Sequence, residues 1–135
     1  MLATKLTAVA KMFGDQLVSD MAVVGSDLYM NEGASLGVIR YSTNVGLLQT
    51  AVDSDRSAIA AKDAEATLQT LKLAGQQVSL LSTPDNRIRS FRVVQGPCIF
   101  VTTSQTLAER FIEVGQGGRS LADTNEFRWA REWMP

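Results

Sequence analysis

Residues 67–103 read TLQTLKLAGQQVSLLSTPDNRIRSFRVVQGPCIFVTT and contain four short β-type segments separated by turn residues. Apolar and polar residues alternate in the first segment, which is the period-two pattern of a strand with one covered face. Gly75, residues 84–86 and residues 95–97 separate the segments, and their residue types favour tight turns. The stretch predicts a four-stranded meander, with Pro84 at the second position of a type I turn.

A further pair of strands is predicted upstream of the meander. Residues 22–42 read AVVGSDLYMNEGASLGVIRYS, in which residues 31–33 form the turn and Gly33 is free to take a positive φ. The pair and the meander together predict an α+β fold. We expect an antiparallel sheet of about five or six strands with helices packed on one face.

Three segments repeat their apolar residues every three or four positions, which is typical of amphipathic helices. A side-chain oxygen among residues 42–44 is placed to cap the second helix. Ser104 or Thr106 begins the third helix, where Thr106 and Glu109 match a capping box. The predicted helices and their apolar stripes are residues 3–20 with Leu2, Leu6, Val9, Phe13 and Leu17, residues 45–62 with Val45, Leu48, Val52 and Ile59, and residues 105–115 with Leu107, Phe111 and Val114.

The order strand, glycine turn, strand, capped helix occurs twice, once around Gly33 and once around Gly96. These two strand-strand-helix units arise either from a duplication or from common building blocks, because capped helices after a turn recur in unrelated proteins. The predicted core consists of apolar residues from both units: Leu6, Phe13, Val38, Leu48, Leu80, Val93, Phe100, Val101, Leu107 and Phe111.

Length and charge exclude several classes of protein. A chain of 135 residues suits one domain with its own core. Thirteen basic against fourteen acidic side chains argue against a dedicated nucleic-acid binder. No run approaches the roughly 18 apolar residues of a membrane span, and the N-terminus lacks the continuous apolar region of a signal peptide. We expect no nucleic-acid partner and no membrane insertion, and the compartment stays open.

Histidine is absent, and Cys98 is the only cysteine. Their scarcity removes Ser-His-Asp and Cys-His nucleophiles, histidine-bound metals and internal disulfides. Cys98 follows Pro97 in an apolar strand, so we expect a buried structural thiol. The sequence therefore predicts no catalytic residue, no metal and no cofactor. An enzyme that relies on carboxylates or Ser/Thr side chains is the third hypothesis for the chain.

Four arginines form the candidate site for a small ligand or an anion: Arg40, Arg87, Arg89 and Arg92. Arg87 and Arg89 are predicted to share a strand face with Phe91, while Arg92 takes the opposite face. Arginines interleaved with an aromatic side chain are able to bind an anion or single-stranded nucleic acid, although arginine on an exposed strand face is the commoner arrangement.

Two other motifs are interpreted without a ligand. Asp53 and Asp55 point about 200° apart on a helix, which indicates a solvated face rather than a metal pair. Residues 114–120, VGQGGRS, follow a helix and contain no lysine, so they indicate a helix end and linker rather than a phosphate-binding loop.

The last residues, SLADTNEFRWAREWMP, predict a further helix from about Thr124, with Asp123 as its cap and Glu126 completing a capping-box-like pair. One side of this helix is apolar, and it supplies the candidate interface: Phe127, Trp129, Ala130, Trp133 and Met134. This face either packs over the domain's own sheet or docks on another copy or on the remainder of a longer chain.

Three segments carry a resemblance: VSLLSTPDNRIRSF, FVTTSQTLAERFIEVGQG and SLADTNEFRWAREWMP. They resemble parts of large bacterial proteins of the planctomycete type whose function is unknown, and residues 14–39 are similar to the same proteins. The resemblance implies longer relatives that continue past the equivalent of Pro135 and carries over no catalytic residue. A more distant similarity to envelope-associated bacterial proteins implies a place outside the cytoplasm. The chain departs from that pattern because it shows no signal sequence.

We therefore expect a single α+β domain at residues 1–118, followed at residues 119–135 by the capped amphipathic helix. The leading hypothesis for function is a non-enzymatic structural or protein-interaction domain that belongs to a longer bacterial protein. Its partner is a protein, either a second copy or the remainder of the longer chain, and it binds through the C-terminal helix. The alternative is a small-ligand or anion-binding module that uses the four arginines.

Overall fold

The chain forms a six-stranded antiparallel sheet with three α-helices in the part that the computed structural model describes, residues 17–26 and 35–134. The α+β class and the antiparallel sheet are therefore confirmed. The elements are β1 (Asp20–Ser26), β2 (Ser35–Tyr41), α1 (Val45–Lys62), β3 (Thr67–Leu73), β4 (Gln76–Ser82), β5 (Arg89–Gln95), β6 (Cys98–Thr102), α2 (Gln105–Gly115), a 3₁₀ turn (Leu121–Asp123) and α3 (Asn125–Trp133).

The four strands β3 to β6 are neighbours in chain order, so the predicted meander is confirmed. Ala74 and Gly75 both take positive φ in the two-residue link between β3 and β4. The Asn86 N–H donates to the Thr83 carbonyl at 3.0 Å, which places Pro84 at the second position of a β-turn. Gly96 takes a φ of 54° between β5 and β6.

The strand order is β1-β2-β6-β5-β4-β3, so the upstream pair joins the meander through antiparallel pairing of β2 with β6. Helix α1 carries the chain from β2 to β3 at the far edge, across four strand spacings or roughly 19 Å. Its 18 residues span about 27 Å, which is enough for this crossing. The length of α1 therefore matches its role as the crossover.

Helices cover both faces of the sheet. Ile99 and Val101 of β6 pack with α1 in a core cluster that includes Leu48 and Val52. Phe100, which points to the opposite face, belongs to the cluster that contains residues 108 and 112 of α2. The structure differs here from the expectation of helices on one face, because β6 is apolar at successive positions and has two faces to bury.

The two strand-strand-helix units have opposite hands. The twofold axis that superposes the antiparallel strands β2 and β6 is perpendicular to the sheet. Rotation about this axis keeps each face of the sheet on the same side. Because α1 and α2 lie on opposite faces, this rotation does not superpose them. The arrangement favours common building blocks over a duplication.

Four of the predicted core residues are buried to 2% exposure or less: Leu48, Val93, Phe100 and Val101. Four others are half-buried: Val38, Leu80, Leu107 and Phe111. In α2 the fully buried positions are Ala108 and Ile112, one residue on from the predicted stripe. The predicted residues Leu107, Phe111 and Val114 line an apolar groove that is described below, whereas Ala108 and Ile112 are the buried residues of the helix.

Some predictions concern residues that the structure does not describe. Leu6, Phe13, the turn at residues 31–33 and most of the first predicted helix lie outside the described residues. At the described end of that helix, Leu17 is buried to 2% exposure, as its position in the apolar stripe predicts. The helix does not extend to residue 20, because β1 begins at Asp20.

Side chains cap α1 and α2. Asn44 Oδ1 accepts a hydrogen bond from the Leu47 N–H at 3.1 Å, and Ser104 Oγ accepts one from the Leu107 N–H at 3.2 Å. Ser104 is therefore the cap of α2, and the capping box from Thr106 to Glu109 is wrong. The Glu109 side chain instead accepts from the Gln105 amide at 2.9 Å.

We expect Ser104→Ala to lower the free energy of unfolding by about 1 kcal/mol, because it removes the acceptor for a free helix N–H group. Thr106→Ala is the matched control, since Thr106 is exposed and does not cap the helix. Its cost is expected to stay below about 0.5 kcal/mol. Urea unfolding followed by far-UV circular dichroism measures both variants. Equal costs would contradict the assignment of the cap.

Gly37 of β2 makes room for the Phe100 ring, because a Cβ at residue 37 would overlap two carbons of that ring. Gly37→Ala is expected to lower the free energy of unfolding by about 1–3 kcal/mol through overpacking. Gly46→Ala in α1 is the control, since the nearest atom to its Cβ is 3.9 Å away, and alanine there stabilises the helix. Thermal and urea unfolding measure both. A Gly37→Ala variant as stable as the parent would show that the Phe100 ring is free to move.

Candidate functional site

The α1 face of the sheet buries an arginine. Arg56 of α1 is 1% exposed, and its Nη1 donates to Ser90 Oγ at 2.7 Å. Its Nη2 donates to the Ser79 carbonyl at 3.1 Å and to Ser79 Oγ at 3.2 Å. Burial lowers the pKa of Arg56 to about 10, and repulsion from Arg92 adds to this shift. Arg56 nonetheless carries its charge at neutral pH.

A second guanidinium lies beside this buried arginine. Arg92 Nε of β5 lies 2.8 Å from Asp53 Oδ1 in an ion pair. Within the described residues, neither Arg92 Nε nor Arg56 Nε has a hydrogen-bond acceptor in suitable geometry. The three side chains line a cavity of about 270 Å³ that we call the arginine pocket, together with Ser57, Thr70 and Ser79. Its charged groups are two guanidinium ions and one carboxylate.

The structure does not bring the four predicted arginines together. Arg92 faces α1, whereas Arg89 lies over the Phe91 ring at 5.4 Å on the opposite face. Arg87 lies in the turn before β5 and forms ion pairs with Asp63 at 3.3 Å, Glu65 at 3.1 Å and Asp85. Arg40 is buried in β2, where burial lowers its pKa and the charge of Asp55 opposes the shift.

The sequence carried a signal for Arg56. Residues 48, 52, 56 and 59 follow the helical spacing of the buried stripe, so a charged side chain occupies a core position of α1. Asp55 is buried to 8% exposure beside it, so the solvated face predicted for Asp55 is wrong. Asp53 is 40% exposed and pairs with Arg92. Arg56 is absent from the predicted stripe because that stripe contains apolar residues only.

The opposite face of the sheet carries an apolar groove of about 680 Å³. Val24, Ile39 and Phe100 of three neighbouring strands form its floor. Leu107, Phe111 and Val114 of α2 form a wall, and the Phe100 and Phe111 rings lie 4.8 Å apart. Residues 119–121 and Thr124 close the end that leads to α3.

Helix α3 presents its tryptophans to solvent. Trp129, Trp133 and Met134 are 65%, 72% and 63% exposed, and we call them the tryptophan face. The two indole centroids lie 6.3 Å apart. Phe127 and Ala130 are half-buried, and no residue of α3 is buried. In this structure α3 therefore adds no buried residue to the core.

The segment before α3 is held by side chains. Thr124 Oγ1 accepts from the Phe127 N–H at 3.3 Å, so Thr124 caps the helix and the predicted cap at Asp123 is wrong. Asp123 instead accepts from the Ser120 N–H at 2.7 Å and from Ser120 Oγ at 2.9 Å. Gly117 follows the C-terminal end of α2 and takes a φ of 98°. This agrees with the interpretation of residues 114–120 as a helix end.

The groups suited to catalysis are few in the described residues. Cys98 is half-buried, and burial raises the pKa of its thiol, which lowers its thiolate fraction. No group of three or more Cys, Asp or Glu side chains within residues 17–26 and 35–134 is placed to hold a metal ion. The arrangement offers charge and hydrogen-bond donors in the arginine pocket, and apolar surface in the groove and on α3.

No protein-family model matches the chain, and neither a curated protein nor a solved structure matches it. None of the helices among the described residues is long and apolar enough to cross a membrane. The function is therefore argued from the geometry of the described surfaces.

Hydrogen bonds within the turn lower the pKa of the Asp85 carboxyl to about 2. The largest contribution comes from Thr83 Oγ1, which donates to Asp85 Oδ1, and the next comes from Arg87. A depressed carboxyl pKa stabilises the fold above the ordinary value of 3.8, and this contribution is lost as pH falls to about 2. We expect Asp85→Asn to flatten the dependence of stability on pH across this window. Thr83→Val should raise the Asp85 pKa, whereas Glu65→Gln is the control that leaves it low. Carbon-13 titration of the carboxyl groups measures all three, and a normal Asp85 pKa in the parent chain would refute the turn geometry.

Proposed function

We propose that the chain is a non-enzymatic protein-interaction domain and that the tryptophan face of α3 is its binding surface. The exposure of Trp129 and Trp133 carries this proposal. Adjacent exposed tryptophans are costly in water and are the residues most enriched in the energetic centres of protein interfaces. The same chain offers a concave apolar surface, the groove between the sheet and α2.

The partner that these surfaces fit best is a second copy of the chain. The tryptophan face is convex and apolar, and the groove is concave and apolar, so each copy supplies both halves of one contact. Arg110 and Arg119 line the groove, where guanidinium groups stack favourably on indole rings. Reciprocal docking of two helices forms a closed dimer with twofold symmetry.

The tryptophans of α3 do not line the groove of their own chain. Thr124 lines the groove and α3 begins at Asn125, so Trp129 and Trp133 lie about 6 Å and 12 Å along the helix axis from its start. Hydrogen bonds between Ser120 and Asp123, and from Arg128 Nε to the Ala122 carbonyl at 3.2 Å, hold the connecting turn. Docking between copies leaves these bonds intact.

The area of such a contact fits a weak, reversible dimer. The tryptophan face exposes roughly 400 Å² per helix. Two helices and the two grooves that receive them bury roughly 1,100 Å² in total, which is at the low end of the range for protein interfaces. The competing occupant of the same surfaces is a neighbouring segment of a longer chain, and a parent chain that stays monomeric would favour it.

We expect the chain to dimerise at micromolar concentration and Trp129→Ala/Trp133→Ala to be monomeric. The thermal midpoint of this variant should equal that of the parent chain at concentrations where the parent is monomeric, because neither indole is buried in the monomer. Leu121→Glu should also be monomeric, since Leu121 lines the groove and is 66% exposed. Glu132→Ala, on the polar side of α3, is the control. Sedimentation velocity measures the mass of each species.

A mixture of the two monomeric variants gives a sharper test. One variant keeps an intact groove and the other an intact tryptophan face, so the mixture is expected to form a heterodimer held by one contact. A parent chain that stays monomeric near millimolar concentration would refute self-association. A dimer that survives the tryptophan substitutions would refute the assigned surface.

A further inference from the structure

We propose that the arginine pocket binds a small carboxylate with one negative charge, held between Arg56 and Arg92. This site lies on the α1 face of the sheet, away from the apolar groove and the tryptophan face. It is therefore independent of the proposed self-association. The proposal rests on the hydrogen-bond geometry, charge balance and size of the pocket.

The hydrogen bonds of Arg56 are incomplete. Both Nη atoms donate to serine oxygens, yet the Nε, whose accessible surface is negligible, has no acceptor among the described residues. A buried charged group is costly unless its donors are satisfied. Arg56 also lines the arginine pocket, so a carboxylate bound there lies against its positive charge while the bonds to Ser79 and Ser90 stay intact.

The charges of the pocket select a monoanion. Arg56 and Arg92 lie close enough for Arg92 to lower the pKa of Arg56 by repulsion, and Asp53 offsets only one of the two positive charges. One further negative charge neutralises the group, whereas a dianion overcompensates it. A carboxylate is planar and matches the donor fork of a guanidinium group, which makes it the preferred monoanion.

The size and the remaining lining select a small ligand. A cavity of about 270 Å³ lies just below the range of drug-sized pockets and holds roughly ten non-hydrogen atoms. Ser57 and Thr70 supply hydroxyl groups, and Leu68 supplies an apolar wall. The lining therefore fits a short-chain acid such as butyrate better than acetate, because the alkyl chain of butyrate reaches the leucine.

The experiment titrates the full chain, labelled with nitrogen-15, with butyrate, acetate or inorganic phosphate at constant ionic strength, and follows amide shifts of residues around the pocket. We expect saturable binding of butyrate in the millimolar range, with acetate weaker and phosphate weaker still. Arg92→Gln should weaken butyrate binding about tenfold, because it removes a charged donor. Asp53→Asn should tighten butyrate binding about fivefold, because it removes a competing negative charge.

Arg89→Gln is the matched control, since Arg89 lies on the same strand but on the opposite face. It should leave butyrate binding unchanged. Absence of saturable shifts with any of the three anions, or equal affinity in Arg92→Gln and the parent, would overturn the proposal. Tighter binding of phosphate than of butyrate would overturn the assignment to a carboxylate. Sedimentation of Arg92→Gln separates the two proposals, because this variant is expected to dimerise normally.

Discussion

Burial of β6 on both faces is the constraint on which the rest of the structure depends. Ile99, Phe100 and Val101 are successive residues and are each at most 1% exposed, so apolar side chains project to both sides of the sheet. A sheet with such a strand at its centre requires a cover on each face. Helix α1 covers one face and α2 covers the other. Because α1 lies across its face, it carries the chain from β2 to the distant edge strand β3.

The two covers differ in chemistry, and this difference creates the two surfaces. The 18-residue α1 crosses a face that holds polar as well as apolar side chains, and it brings Arg56 onto serine and arginine side chains of β4 and β5. The 11-residue α2 is too short to cover the opposite face and leaves apolar floor exposed between itself and β1. One face therefore holds charge in a small cavity, while the other offers an open apolar groove.

The meander and the caps of α1 and α3 were predictable from the sequence within a residue or two. The reason is that side-chain caps, and turns such as those at Gly75, Pro84 and Gly96, depend on adjacent residues alone. The placement of helices depends on which strands become neighbours. Only the pairing of β2 with β6 puts the unbroken apolar segment at the centre of the sheet. The partners of Arg56 lie 23 and 34 residues away, so no local pattern identifies them.

The tryptophan face remains open because of how α3 is stabilised. A helix of nine residues is marginal on its own in water. The Thr124 cap and the Ser120–Asp123 hydrogen bonds favour its first turn, but the residues that follow gain little from the domain because none is buried. An occupant of the tryptophan face would supply the missing burial, so binding and helix stability are coupled in α3. Trp129 and Trp133 therefore lie on a short helix of which no residue is buried in the domain.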